Sequence, residues 1–282
     1  MFESIGRSVE LVRTSWNILM DDKKLLVFPV LSGIVTLLVI LTFILPLLVT
    51  GALTGMSRAG PIVHYGLLFL FYVVSYFVVI FFNTALISCV NAKLNGKDMT
   101  IGEGLSNSAK HLPVILGWAI LSATIGLVLH LLEERSGLIG QIVLSIIGGA
   151  WALVTFFVVP VLVLEDKGVF DSLGESFGLI KKTWGESIVG SGGMAVVFVA
   201  IGILAALGVL ATMFIGNMII FGAALILFLI FIVVLAVVYF AMQGIFVTAL
   251  YTYAKTGSVP SAFNKDLIQN AFQPKQAGPG QI

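Results

Sequence analysis

The sequence predicts an all-α fold, a polytopic transmembrane bundle of six helices, and two observations carry that prediction. The 282 residues are 59% hydrophobic and only 10% charged, with a mean hydropathy of +1.11, whereas ordinary domains hold about a quarter charged residues. The charge is also segregated: no Asp, Glu, Lys or Arg occurs in 25–57, 59–92, 111–132, 136–164 or 187–254. About twenty apolar residues cross a hydrocarbon core of about 30 Å. The first four stretches therefore hold one span each, and the fifth is long enough for two. The first span follows a lead containing Arg7, Arg13, Lys23 and Lys24, and its full spanning length argues for a retained span over a cleaved signal.

Basic residues set the expected orientation. Of fifteen, thirteen fall before span one, in the two-three and four-five loops, or after span six; only Arg58 and Arg135 fall in the alternate loops. That bias places both termini in the cytoplasm of a cell membrane protein. The outer loops are short, and one carries Glu133 and Glu134. A net charge of +1 suggests no nucleic-acid partner, and the one cysteine, Cys89, rules out a disulfide framework and reads as a small buried hydrophobe.

A threefold pattern runs through the inner segments. Ser4-Ile5-Gly6-Arg7-Ser8-Val9, Thr100-Ile101-Gly102-Glu103-Gly104-Leu105 and Ser172-Leu173-Gly174-Glu175-Ser176-Phe177 share one order of residue types. In the second and third, Ser or Thr with Glu three residues on predicts a capping box and a helix start. Ile5, Val9, Val12, Trp16 and Leu19, and likewise Leu173, Phe177, Ile180 and Trp184, recur at helical spacing. These read as amphipathic interfacial helices with Trp16 and Trp184 as anchors. Lys93 with Gly96, Lys167 with Gly168 and Lys255 with Gly257 supply the helix-stop signals upstream. The organisation is thus one transmembrane domain, 1–272, of parallel pseudo-repeats 4–96, 100–168 and 172–257. A short amphipathic helix 261–272 and a disordered tail 273–282 follow. Mitochondrial carriers share the six spans and surface helices, but Pro29 is followed by Val-Leu-Ser-Gly and lacks their charged signature.

Intramembrane ionisable groups are costly and usually functional. The spans hold no Asp, Glu, Lys or Arg, which argues against proton-coupled transport, carboxylate-lined cation sites and intramembrane hydrolysis. No catalytic residue, metal site or cofactor is expected. His130 near Glu133 and Glu134 lacks a third ligand, and Ser191 among Gly190, Gly192 and Gly193 lacks a base. Small residues at Gly202, Ala205, Ala206, Gly208 and Ala211 suit close helix packing in span five. Asn83 and Gln243 are the strongly polar side chains within spans. Interhelical hydrogen bonding explains them; so does a polar vestibule open to the cytoplasm, to which Pro160 contributes a kink and a freed carbonyl.

The segment Ser8–Gly33, with Arg13-Thr14-Ser15-Trp16, Asp21-Asp22-Lys23-Lys24 and Phe28-Pro29-Val30-Leu31-Ser32-Gly33, resembles the start of domain of unknown function 6159, a prokaryotic six-span integral membrane family. The likeness continues through Ile115-Leu116-Gly117-Trp118, Phe156-Phe157-Val158-Val159-Pro160-Val161-Leu162 and Lys182-Thr183-Trp184-Gly185-Glu186, covering roughly residues 4–255. It implies a six-span bacterial or archaeal membrane protein and supplies no activity or site. More distantly the chain is similar to membrane portions attached to some phosphodiesterases. The residues favour a non-enzymatic protein that binds a partner at the cytoplasmic face or organises the lipid bilayer. The alternative is a channel or facilitator for a neutral or lipid-like substrate. Homo-oligomerisation is left open.

Overall fold

A computed structural model describes residues 2–49, 61–183 and 188–258. Helices account for nearly all of them, and no strand occurs among the described residues. The order is α1 (Phe2–Asp21), a 3-10 turn (Lys23–Leu26), α2 (Val27–Val49), α3 (Pro61–Leu94), α4 (Ile101–Lys110) and α5 (Leu112–Glu134). After these come α6 (Leu138–Val154), α7 (Val158–Leu164), α8 (Val169–Thr183), α9 (Ile188–Met213) and α10 (Met218–Thr256). Six stretches are long and apolar enough to cross a membrane: Lys23–Pro46, Ile62–Leu94, Leu112–Glu134, Leu138–Leu164, Met194–Met213 and Met218–Thr256. These are the six expected spans.

The chain divides into two compact units. The first comprises the described residues of 1–29, 94–96 and 182–282. In it α1 packs on α9 and α10, which pack on each other. Its core holds Leu19, Leu25, Met194, Met242, Ile245 and Phe246, all essentially inaccessible to solvent. The second comprises 30–93 and 97–181. Ile80 of α3, Ile115, Trp118 and Ala119 of α5, and Val158 and Leu162 of α7 form its core. Trp118 stacks on Trp151 of α6, ring centres 5.9 Å apart.

Burial is concentrated toward one end of each long helix. In α3, Thr84–Val90 are all buried, while Ile62, Val63, Leu67 and Leu70 are exposed. In α10, Gly244–Tyr251 are buried, while Met218, Ile219, Ile226 and Leu227 are exposed. Helix length explains the division. At ~1.5 Å per residue, the 34 residues of α3 rise about 51 Å and the 39 of α10 about 58 Å. Holding either inside ~30 Å of hydrocarbon would require a tilt above ~50°, beyond the ~0–40° range of transmembrane helices. Each therefore runs past the hydrocarbon, and the buried C-terminal third is the part covered by protein.

Local chemistry sets the helix ends. Gly96 (φ +71°) and Gly257 (φ +70°) take the left-handed conformation, and the Gly257 N–H donates to the Tyr253 carbonyl at 2.8 Å, closing α3 and α10 as their stop signals predict. The α9–α10 turn uses Gly216 at φ +70° and Asn217, whose side chain accepts from the Ile219 and Ile220 N–H groups at 2.9 and 3.3 Å. The third stop departs from expectation. α7 ends at Leu164, and the left-handed residue is Asp166 (φ 51°), not Gly168.

Candidate functional site

Pro160 has no N–H to offer the Phe156 carbonyl one turn earlier, and its ring crowds that carbonyl. Span four accordingly breaks into α6 and α7 at Thr155–Phe157, the kink expected from Pro160. Phe156 and Val158 donate their N–H groups to the Leu153 and Thr155 carbonyls, both at tight three-residue spacing. The Phe157 N–H and the Val154 carbonyl are both engaged from α8. Ser176 of α8 serves both: its Oγ accepts from the Phe157 N–H at 3.1 Å and donates to the Val154 carbonyl at 2.6 Å. Ser176 is fully buried, as is Ser172 one turn before it.

α4 docks on α3 in a related way. The Ser108 hydroxyl donates to the Phe81 carbonyl at 3.0 Å, and Asn107 Nδ2 donates to Ser88 Oγ at 2.9 Å. Gly104 and Ser108 are the buried residues of α4. Its start is the predicted capping box: the Glu103 N–H donates to Thr100 Oγ1 at 3.2 Å, and the Thr100 N–H donates to Glu103 Oε2 at 2.7 Å. The Thr100 N–H, and after it the Thr100 hydroxyl, hold the Glu103 carboxyl below the ordinary carboxylate range.

The box expected at Ser172 and Glu175 does not form. α8 begins three residues earlier, at Val169, so Ser172 lies within the helix and its N–H donates to the Gly168 carbonyl at 2.9 Å. Glu175 instead pairs with Lys167 at 3.2 Å, and Lys167 also reaches Glu165 at 2.8 Å. The bonds to Glu165 and then Glu175 raise the Lys167 pKa above its usual value. Beside them, His111 lies between two oxygens, with Nδ1 2.7 Å from the Asn107 carbonyl and Nε2 2.6 Å from Asp166 Oδ1. That contact anchors the one described non-glycine residue with positive φ.

The predicted apolar stripes are divided between buried and exposed residues. Leu19 is fully buried but Trp16 is 42% exposed; Ile180 is buried but Phe177 is 52% exposed, and Trp184 lies outside the described residues. The side that faces protein carries small residues, Gly104 with Ser108 and Ser172 with Ser176, because these let two helix backbones approach closely. Spacing at four residues was a signal for that side, and it is easily overlooked beside the larger apolar stripe.

Of the proposed vestibule residues, Asn83 is half-buried in α3 and Pro160 is buried in α7, within one unit; Gln243 is half-buried in α10, in the other. The Gln243 Oε1 is buried without a hydrogen-bond partner, as is the Thr84 Oγ1 beside Asn83. Cys89 is buried, with Sγ 3.8 Å from the Thr100 carbonyl. His130 pairs with Glu134 one turn on, at 3.4 Å. The helix 261–272 and the tail 273–282 lie outside the described residues.

Six membrane-length apolar helices joined by shorter ones define a multi-pass, all-helical membrane protein. The chain belongs to the family of unknown function DUF6159, which matches residues 62–261. The N-terminal motifs that resemble the family precede those matched residues. No curated protein and no solved structure matches the chain.

Proposed function

We propose that this chain is a cell-membrane protein with both termini cytoplasmic, built of three parallel helical-hairpin repeats, that works without catalysis by organising lipid or holding a partner at its cytoplasmic face. One observation carries the reading. Helices too short or too polar to span a membrane keep large aromatic side chains uncovered: Trp16 on α1, and Phe170 and Phe177 on α8, which are 77% and 52% exposed. Such amphipathic segments lie in the membrane interface. The bias of thirteen basic residues to one side supports the orientation. Three hydroxyls within the spans bond their own helices, Thr42 to Leu38, Thr124 to Ile120 and Thr248 to Gly244, which supports a structural use of these groups.

The buried, unpartnered Gln243 Oε1 favours a second reading, a facilitator for a neutral or lipid-like substrate. Extraction with surrounding native lipid, followed by mass spectrometry of what co-purifies, tests the choice. Reproducible lipid or protein partners are expected. A single stoichiometric small molecule, lost on Gln243→Leu, would overturn the first reading in favour of the second.

A further inference from the structure

The bond between Ser176 and the break in span four fixes the depth of α8. From Leu138, the first residue of α6, about twenty residues lead to Phe157, a rise of about 30 Å and hence one hydrocarbon thickness. Over that length span four looks like a lipid-facing helix: α6 has no buried residue, and Leu138, Ile139, Ile142 and Ile146 are 62–81% exposed. Beyond it, α7 is buried at Val158 and Pro160–Val163. Ser176, bonded at this change, holds α8 level with the inner edge of the hydrocarbon. Span two gives the same measure, because about twenty residues separate Ile62 from Phe81, whose carbonyl accepts from Ser108.

With Ser172 and Ser176 inward, the opposite side of α8 carries Phe170, Gly174, Phe177 and Lys181, at intervals of four, three and four and all exposed. Two uncovered aromatic rings at the start of the acyl region, with a cation on the same line, match an acidic phospholipid: rings among the upper methylenes, ammonium at the phosphate. We propose that this side of α8 docks on acidic phospholipid of the cytoplasmic leaflet, through Phe170, Phe177 and Lys181. The inference rests on the membrane orientation proposed above. A protein partner would also cover aromatic rings, but the exposed apolar surface of α6 ends at the same level, so the rings continue a lipid-facing surface.

The test uses the full chain with Cys89→Ala and single nitroxide-labelled cysteines at 142, 170 or 177, reconstituted in phosphatidylcholine vesicles with or without phosphatidylglycerol. The label at 142, about one turn into α6, reports on the span itself. Labels at 170 and 177 are expected to be accessible to oxygen, shielded from a water-soluble nickel chelate, and more deeply placed when phosphatidylglycerol is present. Lys181→Gln is expected to lower enrichment of phosphatidylglycerol over phosphatidylcholine in the co-purified lipid by about five-fold, one basic residue's contribution at a membrane surface. If 142 is lipid-embedded while 170 and 177 meet the nickel chelate, the docking is overturned and the membrane reading stands. Labels at 170 and 177 that neither reagent reaches would assign this side to a protein partner and overturn it equally. A label at 142 exposed to water would overturn both readings. Should the label at 170 prevent folding, 177 and Lys181→Gln decide alone.

Discussion

The backbone N–H of Phe157 meets the hydroxyl oxygen of Ser176 at 3.1 Å, nineteen residues along the chain. Had the helix continued through Thr155–Phe157, that N–H would have paired with the Leu153 carbonyl, and the Val154 carbonyl with the Val158 N–H. One hydroxyl bonds two backbone groups at the break, joining a broken span to the helix after it.

Ser176→Ala removes both of these bonds from the break, at an expected cost of roughly 1–3 kcal/mol. Ser106→Ala, on the exposed side of α4, is expected to stay within ~0.5 kcal/mol of wild type. Denaturant unfolding in detergent, followed by tryptophan fluorescence, compares them. Equal midpoints for the two variants would refute the bridging role of Ser176.

At α4, Thr100→Ala is expected to cost about 1 kcal/mol and Thr100→Ser little, since the cap needs only the hydroxyl. The pH dependence follows from Glu103. Its carboxyl is held below its ordinary value by the Thr100 N–H and hydroxyl, so its contribution is complete above the unfolded-state pKa. It is lost as pH falls through the lower folded-state value. First-turn amide exchange in α4, corrected for intrinsic rates, should stay slow through mildly acidic pH and quicken only below the ordinary carboxylate range. In Glu103→Gln that acid step should vanish; its persistence would assign it to another group.

Asp166 and Gly257 both have positive φ, with different consequences. Gly257→Ala places a Cβ in a left-handed conformation, at roughly 1–2 kcal/mol. Asp166→Gly relieves the same strain but removes the partner of His111 at 2.6 Å, so the two effects oppose each other. Asp166→Asn keeps a residue that tolerates the conformation and a hydrogen-bonding side chain. The expected order of unfolding midpoints is Asp166→Asn above Asp166→Ala, which loses the partner and keeps the strain. The reverse order would show that the His111 contact contributes nothing.

Much of this was legible in the sequence, and what was not has a physical reason. Charge-free length marked all six spans, because a bilayer leaves few alternatives to an apolar helix. Gly96, Gly257, Pro160 and the Thr100–Glu103 box were each readable because one backbone geometry demands that residue type. Ser172 misled: Ser and Glu three apart were present, but Lys167 claimed Glu175 across the turn, and a cap has no prior right to its carboxylate. The docking serines were hidden for another reason. Ser108 and Ser176 bond to backbone carbonyls and an N–H more than fifteen residues away, and a backbone partner leaves no trace in side-chain pattern. Phe170 and Phe177 therefore drew attention to the outer side of α8, while Ser172 and Ser176 lie buried beside Leu179 and Ile180.

Gln243 separates the two functional readings by stability alone. Its Oε1 is buried in α10 without a partner, and an unsatisfied buried polar group costs about 1–3 kcal/mol. Leucine ends one bond short of the amide's terminal atoms and carries no such cost. If the amide is only a packing element, Gln243→Leu should raise the unfolding midpoint or leave it unchanged, and Asn83→Leu should do no worse than a conservative core change, under ~1.5 kcal/mol. If Gln243 instead holds water or a neutral ligand in a cytoplasmic vestibule, the wild-type amide is already satisfied and leucine should destabilise. Added ligand would then raise the midpoint of wild type and not of the variant. The first outcome is expected; destabilisation by Gln243→Leu together with that ligand-dependent difference would give the channel or facilitator reading precedence.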